Sequence, residues 1–281
     1  MERFEEFARR KQTTADGATL CRWETIEDCH TPDQRIVGND WSRALIDGDF
    51  FISPAPSADL PSTSLVFVRS REGNTVAKDP SQLGGGDTDA HVLYEGVSRV
   101  AADAVMAGAE TIRGGRMMFS IWRRELVALR ASLGRPRHPA QIVATLRGIS
   151  LDEGLLFNTP ELHVILLTVP GALAVMKSAV AIRPWISVVV MDDAGDLGRA
   201  FRQLRDRGME TISCVGGRTL AQALLGARLV QDLYLTTSPR SGGEPDTPIA
   251  PHAIEGATVV RKRGTAADAG VAFEHIRVRS A

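Results

Sequence analysis

The chain has 281 residues, 43% of them hydrophobic, enough for one sizeable core or for a core with an added N-terminal segment. Lys and Arg number 33 against 34 Asp and Glu, a net charge of −1, so no overall field draws the protein to nucleic acid or to an anionic membrane. No stretch is charge-free for the length of a transmembrane helix, and the opening MERFEEFARRK is charged and amphipathic, unlike a secretory signal.

Residues 1–60 show no clear period and carry turn-rich stretches such as HTPDQ. SPAPSADLPSTS (53–64) reads as a linker or an irregular way into the main fold. The expectation is therefore an irregular N-terminal extension over 1–60 and one domain over 61–281. From residue 64 short β-rich runs alternate with helical patterns. SLVFVR (64–69) reads as a buried strand, followed by a helix from about 88 with Asp87 or Thr88 as its cap and Leu93, Val97, Val100 and Ala101 on one face. AVMA (104–107) is a strand, a helix is expected through about 131, and QIVAT (141–145) is the next strand. HVILLTV (163–169) precedes a helix after Gly171, and ISVVVM (186–191) precedes a helix capped by Asp196, with Leu197, Phe201 and Leu204 buried and Gly208 at its stop. TISCV (211–215) is a strand and TLAQALLGARL (219–229) a helix burying Leu220, Ala223, Leu224 and Ala227. DLYLTTS (232–238) closes the alternation, and ATVVRKR (257–263) with VAFEHIRVR (271–279) reads as an antiparallel hairpin.

Continuous apolar strands alternating with helices predict an α/β fold with a mostly parallel central sheet covered on both faces. In such sheets ligands bind beyond the carboxyl ends of the strands. Two stretches there share one design. In AVMAGAETIR a strand ends at Gly108 and a helix starts near Thr111; in TISCVGGRTLAQALL a strand ends at Val215, Gly216 and Gly217 turn, and a helix starts near Thr219. Glycine allows close backbone approach and positive φ, and the free N–H groups of a helix start favour an anion. Each turn fits two readings, a phosphate cradle or an ordinary strand-to-helix turn capped by Thr. Neither is a G-x-G-x-x-G nor a Walker loop.

Four segments, in order, resemble the reductase domain of the bifunctional riboflavin-biosynthesis deaminase–reductase. SREGNTVA (70–77) resembles its Ser-Leu-Asp-Gly segment, SRVAADAVMAGAETIR (98–113) its Gly-x-x-Thr signature, CVGGRTLAQALL (214–225) its Glu-Gly-Gly turn, and LVQDLYLTTSPRSGG (229–243) its Leu-Val-Asp-Glu-Leu…Pro…Gly segment. The resemblance implies a dihydrofolate-reductase-like fold and NADPH as hydride donor. It implies that the two turns bracket the cofactor's pyrophosphate, through Gly108, Thr111, Gly216, Gly217, Arg218 and Thr219. It places Thr145 and Arg147 where the adenosine 2′-phosphate is received; Arg147 is either that anchor or a solvated arginine, and Arg113 either a phosphate contact or a solvated residue at the helix start.

On the substrate side the resemblance points to Ser70 and Glu72. A carboxylate there can hydrogen-bond an aminopyrimidine or deliver a proton, so Glu72 is the catalytic candidate; otherwise it is an exposed acid in a turn beside Gly73. Pro239 and Arg240 line the substrate pocket on this reading, Arg240 meeting a substrate phosphate or standing as a loop arginine, and 242–251 forms a flap or an exposed crossing. Three departures bear on the substrate: Glu72 stands where the family has Asp, Val215 where it has Glu, and the family's Asp-Glu pair is shifted to Gln231-Asp232. The functional expectation is an NADPH-dependent reductase of a ribosylaminopyrimidine phosphate. The alternatives are a relative reducing another imine or a pterin, and a catalytically silent nucleotide-binding homologue. The deaminase half is missing, because no H-x-E…P-C-x-x-C signature occurs.

The remaining residue classes exclude more than they suggest. Cys21, Cys29 and Cys214, an odd count, argue against a disulfide framework and fit a cytoplasmic location; Cys21, Cys29 and His30 lack zinc-site spacing, so no metal is expected. The six histidines are scattered away from any Ser or Cys nucleophile with a third partner. The small basic patch GRPRHP (134–139) reads as a solvated loop, so no nucleic-acid or membrane partner is expected, only a small-molecule substrate and, by the resemblance, a second copy in a homodimer.

Overall fold

A computed structural model describes residues 4–77, 83–113 and 117–279. The N-terminal part holds helix α1 (Phe4–Asp16), strands β1 (Trp23–Asp28) and β2 (Arg35–Val37), helix α2 (Asp40–Ile46) and strand β3 (Phe50–Ile52). Strand β4 (Ser62–Arg69) follows, then a helix wound in the wide π form over Asp89–Tyr94 and Gly96–Val100. Strand β5 (Ala104–Gly108) leads into a single turn, α3 (Ala109–Ile112), and α4 (Arg124–Ser132) precedes β6 (Ala140–Thr145). Next come β7 (Val164–Thr168), α5 (Pro170–Ala181), β8 (Ile186–Val190), α6 (Leu197–Asp206), β9 (Thr211–Cys214), α7 (Arg218–Gly226) and β10 (Asp232–Thr237). The hairpin β11 (Gly256–Gly264) and β12 (Ala272–Val278) comes last.

Ten strands form one sheet in the order β1-β11-β12-β10-β4-β9-β5-β6-β7-β8. From β10 to β8 all neighbours run parallel, and β12, β11 and β1 add three antiparallel strands at one side. Alternation along each strand splits the core in two. Val105 and Ala107 face the layer of the π-wound helix and α4, whereas Ala104 and Met106 face the layer of α6 and α7. The α/β class read from the sequence, a mostly parallel sheet between helical layers with a C-terminal antiparallel hairpin, is the fold observed. Among the described residues no helix is long and apolar enough to cross a membrane.

The strands lie within a residue or two of their expected bounds, and the departures concern helices and the N-terminal part. The single helix expected from near Thr111 through about 131 is two, α3 and α4, with 114–116 outside the described residues. Helix α7 begins at Arg218 with Gly217 as its cap residue, not Thr219. Asp196 gives α6 no cap; its carboxylate takes the Asp192 N–H and the Arg199 guanidinium. Residues 1–60, expected to be irregular, hold two helices and three strands, and β1 joins the main sheet by pairing with β11. The sequence hides this because an edge strand such as WETIED buries little of itself and its partner lies at the far end of the chain.

Polar groups at the centre of the sheet fasten the N-terminal part to it. Asp232, fully buried at the start of β10, accepts from the Ser53 hydroxyl at 2.6 Å and the Ser53 N–H at 2.8 Å, and meets His275 Nε2 at 2.8 Å. The Gln231 side-chain oxygen accepts the Thr63 N–H at 2.8 Å, so both residues of the pair Gln231-Asp232 hold the strand starts together. Breaking a buried, fully partnered group leaves its partners unsatisfied. Asp232→Ala is expected to lower folding stability by about 3–5 kcal/mol, read from the urea unfolding midpoint; a loss below about 1 kcal/mol would refute this role.

Candidate active site

Parallel strands place their carboxyl ends along one edge, and the sequence-predicted residues gather there. Gly108 ends β5, Thr145 ends β6, Cys214 ends β9, and Ser70 and Ser238 follow β4 and β10. The order β10-β4-β9-β5-β6 makes these five ends contiguous.

The two glycine turns meet. The Val215 N–H donates to the Met106 carbonyl at 3.0 Å, and the Gly108 N–H donates to the Gly216 carbonyl at 3.3 Å. A Cβ on Gly216 would lie 2.8 Å from Thr111 Cγ2, and Gly217 adopts φ 91° with its Cβ position 3.5 Å from the Gly108 nitrogen. Only glycine fits both demands at Gly217, a left-handed backbone and contact with the facing turn. No side chain caps α7, so the N–H groups of its first turn face the turn without a capping partner. Such a start carries partial positive charge and is a ready acceptor for an anion. Thr219 beside it is exposed, and Arg218 is half-buried with its guanidinium near the Asp246 carbonyl at 3.5 Å.

The other cofactor-side residues divide. Thr145 is turned inward, its hydroxyl donating to the Gly148 carbonyl at 3.1 Å, which fixes the short turn from which Arg147 projects into solvent. Arg113 is exposed and paired with Glu110 at 3.0 Å, so its charge is already answered. Val215 is buried in the apolar core, and its carbonyl takes the Tyr94 hydroxyl at 3.5 Å; it offers no polar group to a ligand.

On the substrate side two loops are laced together. The Arg71 N–H donates to the Arg240 carbonyl at 3.0 Å, the Thr75 N–H to the Thr247 carbonyl at 2.9 Å, and the Glu244 N–H to the Val76 carbonyl at 2.8 Å. Ser70 is buried, its hydroxyl accepting the Asn74 N–H at 3.3 Å. Pro239 and Arg240 are exposed beside it. Glu72 is exposed and accepts the Gly242 N–H at 3.2 Å. The Ser241 hydroxyl and that N–H hold its carboxyl at about 2, far below the usual range. A group so acidic stays ionised at neutral pH and does not deliver a proton. Glu72 thus clasps 70–77 to 240–247 through the Gly242 N–H. The 242–251 stretch, read as a flap or an exposed crossing, is tied down along its first half.

The acid with the right properties is one the sequence reading passed over. Asp89, at the start of the π-wound helix, is buried and accepts from the Thr236 hydroxyl at 2.5 Å and the Gly85 N–H at 3.1 Å. Burial pushes its carboxyl up to about 6, and the nearby Asp268 adds to the rise. The sequence showed an acid after GGGDT at a helix start, the pattern of an ordinary cap; only the fold shows that it is buried. Among the described residues no group of three or more His, Cys, Asp or Glu is placed to hold a metal ion.

The comparisons with known proteins bear on this edge. A family model described as the RibD C-terminal domain matches residues 75–269. A pyrimidine reductase-like protein from Corynebacterium diphtheriae superimposes with a TM-score of 0.62 at 19% identity, over 79% of this chain and 93% of that one. RibD from Acinetobacter baumannii gives 0.61 at 14% identity, over 79% of this chain and 59% of its own. A diaminohydroxyphosphoribosylaminopyrimidine deaminase/5-amino-6-(5-phosphoribosylamino)uracil reductase from Thermotoga maritima gives 0.57 at 14%, over 78% and 57%. At these identities the likeness is one of fold. No curated protein sequence matches the chain.

A raised carboxyl costs stability once it must ionise. Asp89 binds its proton more tightly folded than unfolded, so its contribution is complete below about pH 4 and is lost as pH rises toward and through about 6. Asp89→Asn removes that dependence. Relative to the parent, the variant is expected to gain up to about 3 kcal/mol between pH 4 and pH 8 in urea unfolding; a difference flat with pH would refute the raised carboxyl.

Proposed function

This chain belongs to the RibD C-terminal domain family, and from that premise we propose that it is an NADPH-dependent reductase of a small heterocyclic substrate. The observation that carries the reading is the contact of the Gly108 and Gly216–Gly217 turns at the mouth of an uncapped helix. The cradle fits a pyrophosphate: the two turns meet through glycine backbone, and donors without capping partners stand at the start of α7. Thr111, Arg218 and Thr219 border it, and Arg147, one strand beyond Gly108, supplies the cation for a 2′-phosphate. Arg113, already paired with Glu110, contributes little. The bound cofactor supplies a hydride, which is accepted by the carbon of a C=N or C=O bond.

The residues of the chain do the rest. The cradle orients the cofactor against the strand ends, which lowers the entropic cost of the encounter. Asp89, buried and close to neutral in its acidity, gives the proton that the nitrogen or oxygen of the reduced bond requires and recovers it from solvent. Arg240, exposed at the end of β10, is placed for a substrate phosphate, with Ser70 and Pro239 beside it. This supports a ribosylaminopyrimidine phosphate reduced to a ribitylamine as the substrate pair. A dimer of two such chains and a cytoplasmic location belong to the same proposal. A second reading, a relative acting on another imine or a pterin, is favoured by Val215, whose apolar side chain is packed into the core where the family has an acid.

Fluorescence titration tests the cradle. NADPH is expected to bind more tightly than NADH, and Gly217→Asp, which sets a charge and a Cβ against Gly108, to abolish both signals. Arg147→Ala is expected to weaken NADPH about 10- to 100-fold and leave NADH unchanged, the loss of one charge-assisted phosphate contact. No binding of either nucleotide by the parent chain would end the reductase reading.

A further inference from the structure

The N-terminal segment reaches the acid on two sides. The Thr19 N–H donates to Asp87 Oδ2 at 2.8 Å, and the Cys21 N–H donates to the Thr88 hydroxyl at 2.8 Å, on the two residues just before Asp89. On the other side, the buried Trp23 indole Nε1–H donates to Asp268 Oδ2 at 2.9 Å, and the Thr265 hydroxyl donates to the Arg22 carbonyl. Asp268 lies in the short connection between β11 and β12 and is buried. The adjacent glycines Gly85 and Gly86 lie directly against the two acids: a Cβ on Gly85 would be 3.0 Å from the Asp89 carboxyl carbon, and one on Gly86 2.5 Å from an Asp268 oxygen.

We propose that residues 18–23 form the outer wall of the acid pocket and that Trp23 is a positioning residue, which fixes Asp268 and through it sets the protonation of Asp89. This rests on the reading of Asp89 as the proton donor. The groups around Asp89 support it. Strand β10 presents the Thr236 hydroxyl, the loop before the helix presents the Gly85 N–H, and the β11–β12 connection presents Asp268 with the apolar Val271. Of these only Asp268 carries charge. The indole N–H holds the Asp268 side chain in place, and its negative charge there opposes ionisation of Asp89. Without the indole donor the Asp268 side chain is free to swing away from Asp89, and the repulsion falls. Burial remains, so Asp89 moves toward the ordinary carboxylate range without reaching it.

The test needs no substrate. The full chain is labelled with 13C at the Asp carboxyl carbons, and Asp89 is assigned by its disappearance in Asp89→Asn. Its titration midpoint is then read in the parent, in Trp23→Phe and in Asp268→Asn. Both variants are expected to lower the midpoint by about one pH unit, with the folded spectrum retained. A second replacement at 23, benzothienylalanine, keeps the shape of the indole and exchanges its N–H for sulfur; it is expected to act like Trp23→Phe and decides the matter should the phenylalanine variant not fold. An unchanged midpoint in either folded Trp23 variant, or in Asp268→Asn, would overturn the proposal, even with a drop in melting temperature. NADPH titration of the same samples separates the two readings. A chain whose midpoint moves but which binds no NADPH keeps the wall and loses the reductase; a chain that binds NADPH with an immobile midpoint does the reverse.

Discussion

The whole edge depends on one insertion, strand β9 running parallel between β4 and β5. β4 and β5 follow one another in the chain, joined by the π-wound helix, yet they do not pair. β9 arrives much later and takes the place between them, and its hydrogen bonds to β5 run on past the strand ends into the turns, where Gly108 meets Gly216. Two loops that contact a ligand from one side only would each be a weak cradle. Two turns locked to each other present their backbones as one rigid surface, so the donors are ordered before anything binds. Glycine at 217 is the geometric cost of that contact, since its left-handed φ disfavours any side chain.

The second organising feature is how the chain handles buried charge. Asp232 is tied on every side and serves as a rivet, whereas Asp89 keeps neutral donors and a like charge around it. The first arrangement favours a fixed structure and the second holds a proton more tightly than an ordinary carboxylate does. Glu72 shows the opposite extreme, a carboxylate surrounded by donors and fixed in its charged form. Three acids of one sheet edge and its surroundings thus have three behaviours, each set by its neighbours.

Much of this was legible in the sequence. The strands from SLVFVR onward were plain because runs buried on both faces must be apolar throughout. The glycine turns were visible as punctuation between a strand and a helix, but their mutual contact was not, because it follows from the late insertion of β9. Position and role also came apart. Ser70, Glu72, Pro239 and Arg240 lie in the two laced loops, with Glu72 closing them, whereas the buried acid with a raised pKa is Asp89. Burial of one carboxyl at a helix start leaves no trace in a local pattern. The first 60 residues misled for a related reason. Trp23 to Asp28 make sense as a strand only with β11 beside them.

That pairing has a consequence for how the protein comes into being. During synthesis β1 emerges long before its partner β11, and the slot for β9 stays open in the middle of the sheet until that strand is made. Its early segments must stay soluble as exposed apolar edges for most of synthesis, a state that slows folding and invites wrong pairings. The fold therefore closes at once rather than by growth from one end, and the residues that complete it last, β11, β12 and the turn carrying Asp268, are also those that complete the acid pocket. Until β11 and β12 are in place, Asp89 lacks Asp268 beside it.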